Sequence, residues 1–168
     1  MIAESWSFSR EAIATGEWWR LAGANAAHLS WAHLASNLAV FAAALHLLRP
    51  VARGDAVLGV LATCAISSTA GLYLGTSLDW YAGASGGLYG LLAWGAMRLP
   101  MPAGAWLLLL LVGNVALDQG RTTSWLGEPL APQSHYWGLA CGLGLAIASG
   151  WRTAVAPPTP IASRINVA

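Results

Sequence analysis

Five apolar stretches, parted by short polar breaks, make up most of this chain and decide what it can fold into. They run approximately over Ala26–Leu48, Ala56–Ser77, Gly83–Leu99, Ala103–Leu117 and Ser134–Trp151. Segments of this kind cross a bilayer as helices, because in hydrocarbon each backbone N–H and C=O must be satisfied within the segment or by a neighbour. Composition agrees: 9% of residues are charged and none is lysine, against roughly 25% charge in a soluble domain. Several of the ten tryptophans fit anchoring at membrane–water interfaces. The expected fold class is all-α, a polytopic membrane helical bundle with the lipid bilayer as its first partner.

Other classes drop out on the same grounds. The net charge of +1 says nothing about partners, and with no basic run no nucleic-acid partner is expected. Cys64 and Cys141 each fall inside an apolar segment, too far apart for a metal or redox motif. They read as packing residues, and neither a metal nor a cofactor is called for. Met1 to Arg20 lacks the apolar core of a signal peptide.

Arginines orient the bundle. Arg49, Arg53, Arg98 and Arg152 fall on one side, which the positive-inside rule makes cytoplasmic. Asp79, Asp118 and Glu128 fall on the other, with Arg121 the one basic residue of those loops. The chain then divides into an outer-face segment over 1–25, a membrane domain over 26–152 and a disordered cytoplasmic tail over 153–168. Five spans with a cytoplasmic C-terminus leave the N-terminal residues outside without a translocating signal, which a further helix upstream would repair. The third segment is short: opening at Gly83, its 17 residues cover about 25 Å, so it either sits in a thinned bilayer or starts below the surface, in a recess lined by protein.

Polar residues gather at the outer ends of the segments. His28, His33 and Asn37 open the first, Ser85 the third and His135 the fifth. His33 and Asn37, four apart, share a helical face, while His28 belongs to the chain entering the span. Such residues often only bridge helices by hydrogen bonding. Their convergence at one depth around a glycine-flanked serine points instead to chemistry. A serine hydroxyl is a weak nucleophile until a base takes its proton, and histidine is the usual base. An oxyanion forming on attack needs preorganised donors, which Asn37, His33 and the N–H of Ser85 at a helix start can supply. With no acidic residue evident beside His135, a two-residue dyad is expected. Gly83 and Gly87 on the third segment, facing Gly138 and Gly142 on the fifth, would let the two helices approach closely. Tyr89, one turn after Ser85, would pack against His135.

These residues resemble the rhomboid intramembrane serine proteases. The family's His-x4-His-x3-Asn is met by His28, His33 and Asn37, and its Gly-x-Ser-Gly by Gly83-Ala84-Ser85-Gly86, with Tyr89 one turn on. Its His-x2-Gly-x3-Gly is met by His135, Gly138 and Gly142, and its first-loop Trp-Arg pair by Trp19-Arg20. The resemblance implies that Ser85 is the nucleophile, His135 the base, His33 and Asn37 the oxyanion hole, and His28, Tyr89, Gly83 and Gly86 supports. Gly16 to Leu21, His28 to Leu34 and Asp79-Trp80-Tyr81 look like the rhombosortase branch. That branch implies cleavage of Gly-Gly-type C-terminal tail anchors of secreted proteins at the outer face of a bacterial inner membrane. The family core has six spans, so the resemblance also implies a helix ahead of the first one visible. The competing readings are a general rhomboid protease of transmembrane substrates and a non-catalytic rhomboid-like binding protein.

Overall fold

A computed structural model describes residues 3–150. Arg152 and the tail expected to be disordered lie outside the described residues. Helices occur at all five apolar segments: α3 (Trp31–Leu48), α4 (Gly54–Gly75), α5 (Ser85–Ala96), α6 (Ala103–Asp118) and α7 (Pro132–Ala148). Ahead of them come a 3-10 turn (Glu4–Trp6), a strand β1 (Phe8–Ser9) and two short helices, α1 (Arg10–Ala14) and α2 (Arg20–Gly23). A second strand, β2 (Trp80–Tyr81), precedes α5 and pairs antiparallel with β1, Phe8 opposite Tyr81 and Ser9 opposite Trp80. Among the described residues the structure is therefore mostly helical, with this ribbon as its one two-stranded sheet.

Two of the helices, α3 and α4, are long and apolar enough to cross a membrane. The third segment departs most from expectation. Its helix opens at Ser85, not Gly83, and its 12 residues cover only about 18 Å. Gly83 instead sits before the helix with φ of 141°, a backbone shape that side chains rarely adopt. Outward faces are apolar: Leu38 and Val40 on α3, Leu58, Ile66 and Leu74 on α4, and Leu109, Leu110 and Val112 on α6 are all exposed. Apolar surface on that scale is costly in water and suits lipid.

Helix α5 is the axis of the bundle, and glycines set how its neighbours approach. A Cβ on Gly138 or Gly142 of α7 would run into the carbonyls of Gly86 and Gly90 of α5. The glycine pairing expected from spacing is thus shifted in register. Gly86 and Gly90 meet α7, whereas Gly87 meets Ala65 of α4 and Gly83 meets His33. Ser85 lies beside His135 at one end of the pair, and Arg98 donates to Ser149 Oγ at the other, so α5 and α7 run parallel. On the far side, Gly71 and Gly75 of α4 make room for the Trp137 ring of α7.

The N-terminal segment is locked onto this frame. The Arg10 guanidinium donates to the carbonyls of Leu72, Tyr73, Thr76 and Leu78 at 2.7–3.1 Å, capping the end of α4. Phe8 and Ile13 are fully buried against Leu72 and Tyr81. Gly83 N–H donates to Ala24 C=O at 2.9 Å. Together with the β1–β2 ribbon, these contacts hold the approach to Ser85.

Candidate active site

Local chain chemistry fixes where each polar group stands. Ser30 caps α3 by accepting from His33 N–H at 3.1 Å, which places His33 in the first turn and Asn37 in the second. Pro132, preset for a helix start, opens α7 and puts His135 in its first turn. Ser85 is the first residue of α5, where backbone N–H groups lack helical partners.

At the centre, Ser85 Oγ and His135 Nε2 are 3.0 Å apart, within hydrogen-bond reach. Tyr89 stacks on the His135 ring, with centroids 4.3 Å apart and planes 15° from parallel. Asn37 is buried on the cavity wall, and its amide nitrogen has no partner among the described residues. His33 lines the same cavity. A Cβ on Gly83 would lie 2.8 Å from the His33 ring, and one on Gly86 would lie 2.6 Å from Ser68 Oγ. These two glycines therefore provide clearance around the site. His28 stands further back: its Nδ1 is 3.0 Å from Ala26 C=O and its ring meets His33 edge-on, centroids 5.1 Å apart.

The cavity holds about 430 Å³. Ser85, His135, His33 and Asn37 lie on its wall, with apolar sides from Leu29, Leu78 and Trp80. The 119–131 loop closes another side. It folds back on itself through a bridge between Thr123 and Pro129, and presents Leu126, Glu128 and Leu130 to the cavity.

Four residues at the site were not singled out from the sequence. Tyr81 donates its hydroxyl to Gly83 C=O at 2.7 Å and lies 3.4 Å from Ser85 Oγ. Burial pushes that phenol above its ordinary range, so it stays protonated. Glu128 Oε2 lies 3.5 Å from His33 Nδ1. Asn114 of α6 donates to the Tyr89 hydroxyl. Asp118, expected in an outer loop, is instead the buried last residue of α6, and its Oδ2 lies 3.3 Å from His135 Nδ1. The expectation that no acid stands by His135 is corrected by that contact. A signal was present: Asn114 and Asp118 are polar residues four apart at the end of an apolar segment, the same pattern that drew attention to His33 and Asn37.

Fold and site together describe a helical membrane protein with a serine–histidine pair in a recess between its helices. The family model of the Rhomboid domain matches residues 15–152, and the chain belongs to the rhomboid family. A search of curated proteins found no match.

Proposed function

We propose that this protein is an intramembrane serine endopeptidase in which Ser85 attacks and His135 serves as the base. The observation that carries the reading is the 3.0 Å contact between Ser85 Oγ and His135 Nε2 inside the cavity. In the reaction, Nε2 takes the hydroxyl proton as Oγ bonds to the scissile carbonyl carbon. The negative charge moves to the former carbonyl oxygen, where the Asn37 amide, the Ser85 N–H and His33 are the available donors. His135 then passes its proton to the departing amine, leaving an acyl-enzyme on Ser85. Attack by water, or by another acceptor, releases the second product and restores the hydroxyl.

The substrate is a membrane-anchored protein. Within the family we place the chain in the rhombosortase branch, acting on Gly-Gly-type tail anchors at the outer face of a bacterial inner membrane. The Gly16 to Leu21, His28 to Leu34 and Asp79-Trp80-Tyr81 stretches support this. In this reading α3 to α7 all sit in the membrane, with the short α5 sheltered by its neighbours.

Cleavage of a Gly-Gly-tailed substrate in vesicles tests both levels. Ser85→Ala and His135→Ala should each lower the rate by about 10⁶, the scale seen when a hydrolase loses its nucleophile or base. Wild-type cleavage by either variant would overturn the assignment. Cleavage of ordinary transmembrane substrates in preference to Gly-Gly tails would keep the protease and remove the branch.

A further inference from the structure

Helix α6 brings two polar side chains to the base, and neither belongs to the serine–histidine pair. Asn114 and Asp118 lie one turn apart on a helix whose middle is apolar. Asn114 donates to the hydroxyl of Tyr89, the ring stacked on His135. Asp118 Oδ2 stands 3.3 Å from His135 Nδ1, with both side chains less than a tenth exposed. Nδ1 has no other partner among the described residues, and the 3.3 Å approach is off the line of an ideal hydrogen bond. Catalytic contacts of this kind are often loose in a free enzyme and tighten with substrate.

Proton bookkeeping gives the contact a role. For Nε2 to accept from Ser85, the neutral ring must carry its proton on Nδ1. A buried Nδ1–H needs an acceptor, and Asp118 is the group in reach. We infer that Asp118 is a positioning residue for His135, extending the pair to a Ser85–His135–Asp118 triad braced by Asn114 and Tyr89. Asp118 holds the ring in the competent tautomer and stabilises the imidazolium that forms when Nε2 takes the serine proton. The Nδ1 proton stays on the ring and Asp118 stays a carboxylate. Arg121 Nη1, 3.9 Å from Asp118 Oδ1, supplies a countercharge. The remaining titratable groups around His135 are Tyr89 on α5, Tyr81 on β2, His33 on α3 and Glu128 across the cavity. None of these is an acceptor in reach of Nδ1.

The inference rests on the proposed serine–histidine chemistry and can fail separately from it. Full-length protein in vesicles is assayed for kcat and KM across pH as wild type, Asp118→Asn, Asp118→Glu, Ser85→Ala and His135→Ala, with melting temperature recorded for each. Asp118→Asn should lower kcat by about 10²–10⁴, the upper end matching the aspartate-to-asparagine loss in a serine-protease triad, while KM changes less than threefold. The acid limb of its kcat/KM profile should move to lower pH, because the imidazolium has lost its carboxylate neighbour. Asp118→Glu should recover part of kcat. Wild-type kcat with an unmoved limb in Asp118→Asn would overturn the triad while leaving the pair intact. A kcat loss that follows only the fall in melting temperature, unrecovered in Asp118→Glu, would also overturn it. Wild-type activity in Ser85→Ala or His135→Ala would instead overturn the underlying mechanism.

Discussion

The α5–α7 seam and helix α6 hold the same histidine by opposite means. Along the seam, backbone lies on backbone: Gly138 rests on the Gly86 carbonyl and Gly142 on that of Gly90. No side chain intervenes, so the separation has no slack. Helix α6 leans on the bundle mostly through side chains instead, with Leu107 packed against the core and Leu111 buried along its middle. Gly104 packs under the Ala96 carbonyl at one end, and Asn114 and Asp118 reach Tyr89 and His135 at the other. Between them Leu109 and Leu110 face outward. The seam fixes how far Ser85 is from His135, while α6 adjusts which way the imidazole faces.

That division can be broken at the seam first. Gly138→Ala should reduce cleavage to background, because its Cβ has to displace the Gly86 carbonyl and so part the two helices carrying the site. Overpacking of this sort costs about 1–3 kcal/mol, readable as a lower melting temperature. Gly144→Ala on the same helix meets nothing within 4 Å and should leave both rate and melting unchanged. A tolerant Gly138 would show that the seam has slack after all.

Weaker effects are expected on α6. Gly104→Ala also drives a Cβ against backbone, at Ala96 and Leu99, yet α6 can swing toward lipid. A several-fold fall in cleavage is expected, well short of the Gly138 effect, and equal losses would erase the contrast. Asn114→Ala should be milder still. One hydrogen bond is worth about 0.5–1.5 kcal/mol, so the rate should fall by no more than about tenfold, checked by single-turnover cleavage. Tyr89→Phe keeps the stacked ring and loses only the hydroxyl, so it should match or fall below the Asn114→Ala effect.

Much of the site was legible before folding, and the reasons differ by residue. His33 and Asn37 stand out because spacing alone puts them on one face of a span, where polar groups are costly. Ser85 stands out because glycines crowd it. The seam was legible in kind but not in register: Gly83-x3-Gly87 and Gly86-x3-Gly90 are equally good stripes, and only packing against α7 chooses the second. Asp118 was misplaced for a related reason. A helix end cannot be located to one residue from composition, and an acid at the end of an apolar run reads as loop. The placement of α6 against α7 turned that loop residue into the neighbour of Nδ1. Tyr81 was named only within a family-like stretch and given no role at the site, because a phenol in a short extended segment carries no periodic signal. Its place depends on β1, more than seventy residues away in the chain.

By itself the sequence determined the material and the parts: apolar helices, with a serine, two histidines and an asparagine at their starts, and glycines spaced for close contact. Those follow from local rules, the solvation of backbone in lipid and the 3.6-residue turn, which act within a single segment. Tertiary structure alone decided the glycine register and the meeting of Asp118 with His135. Each depends on which face of one helix meets which face of another, and that choice is made by steric fit between segments far apart in the chain.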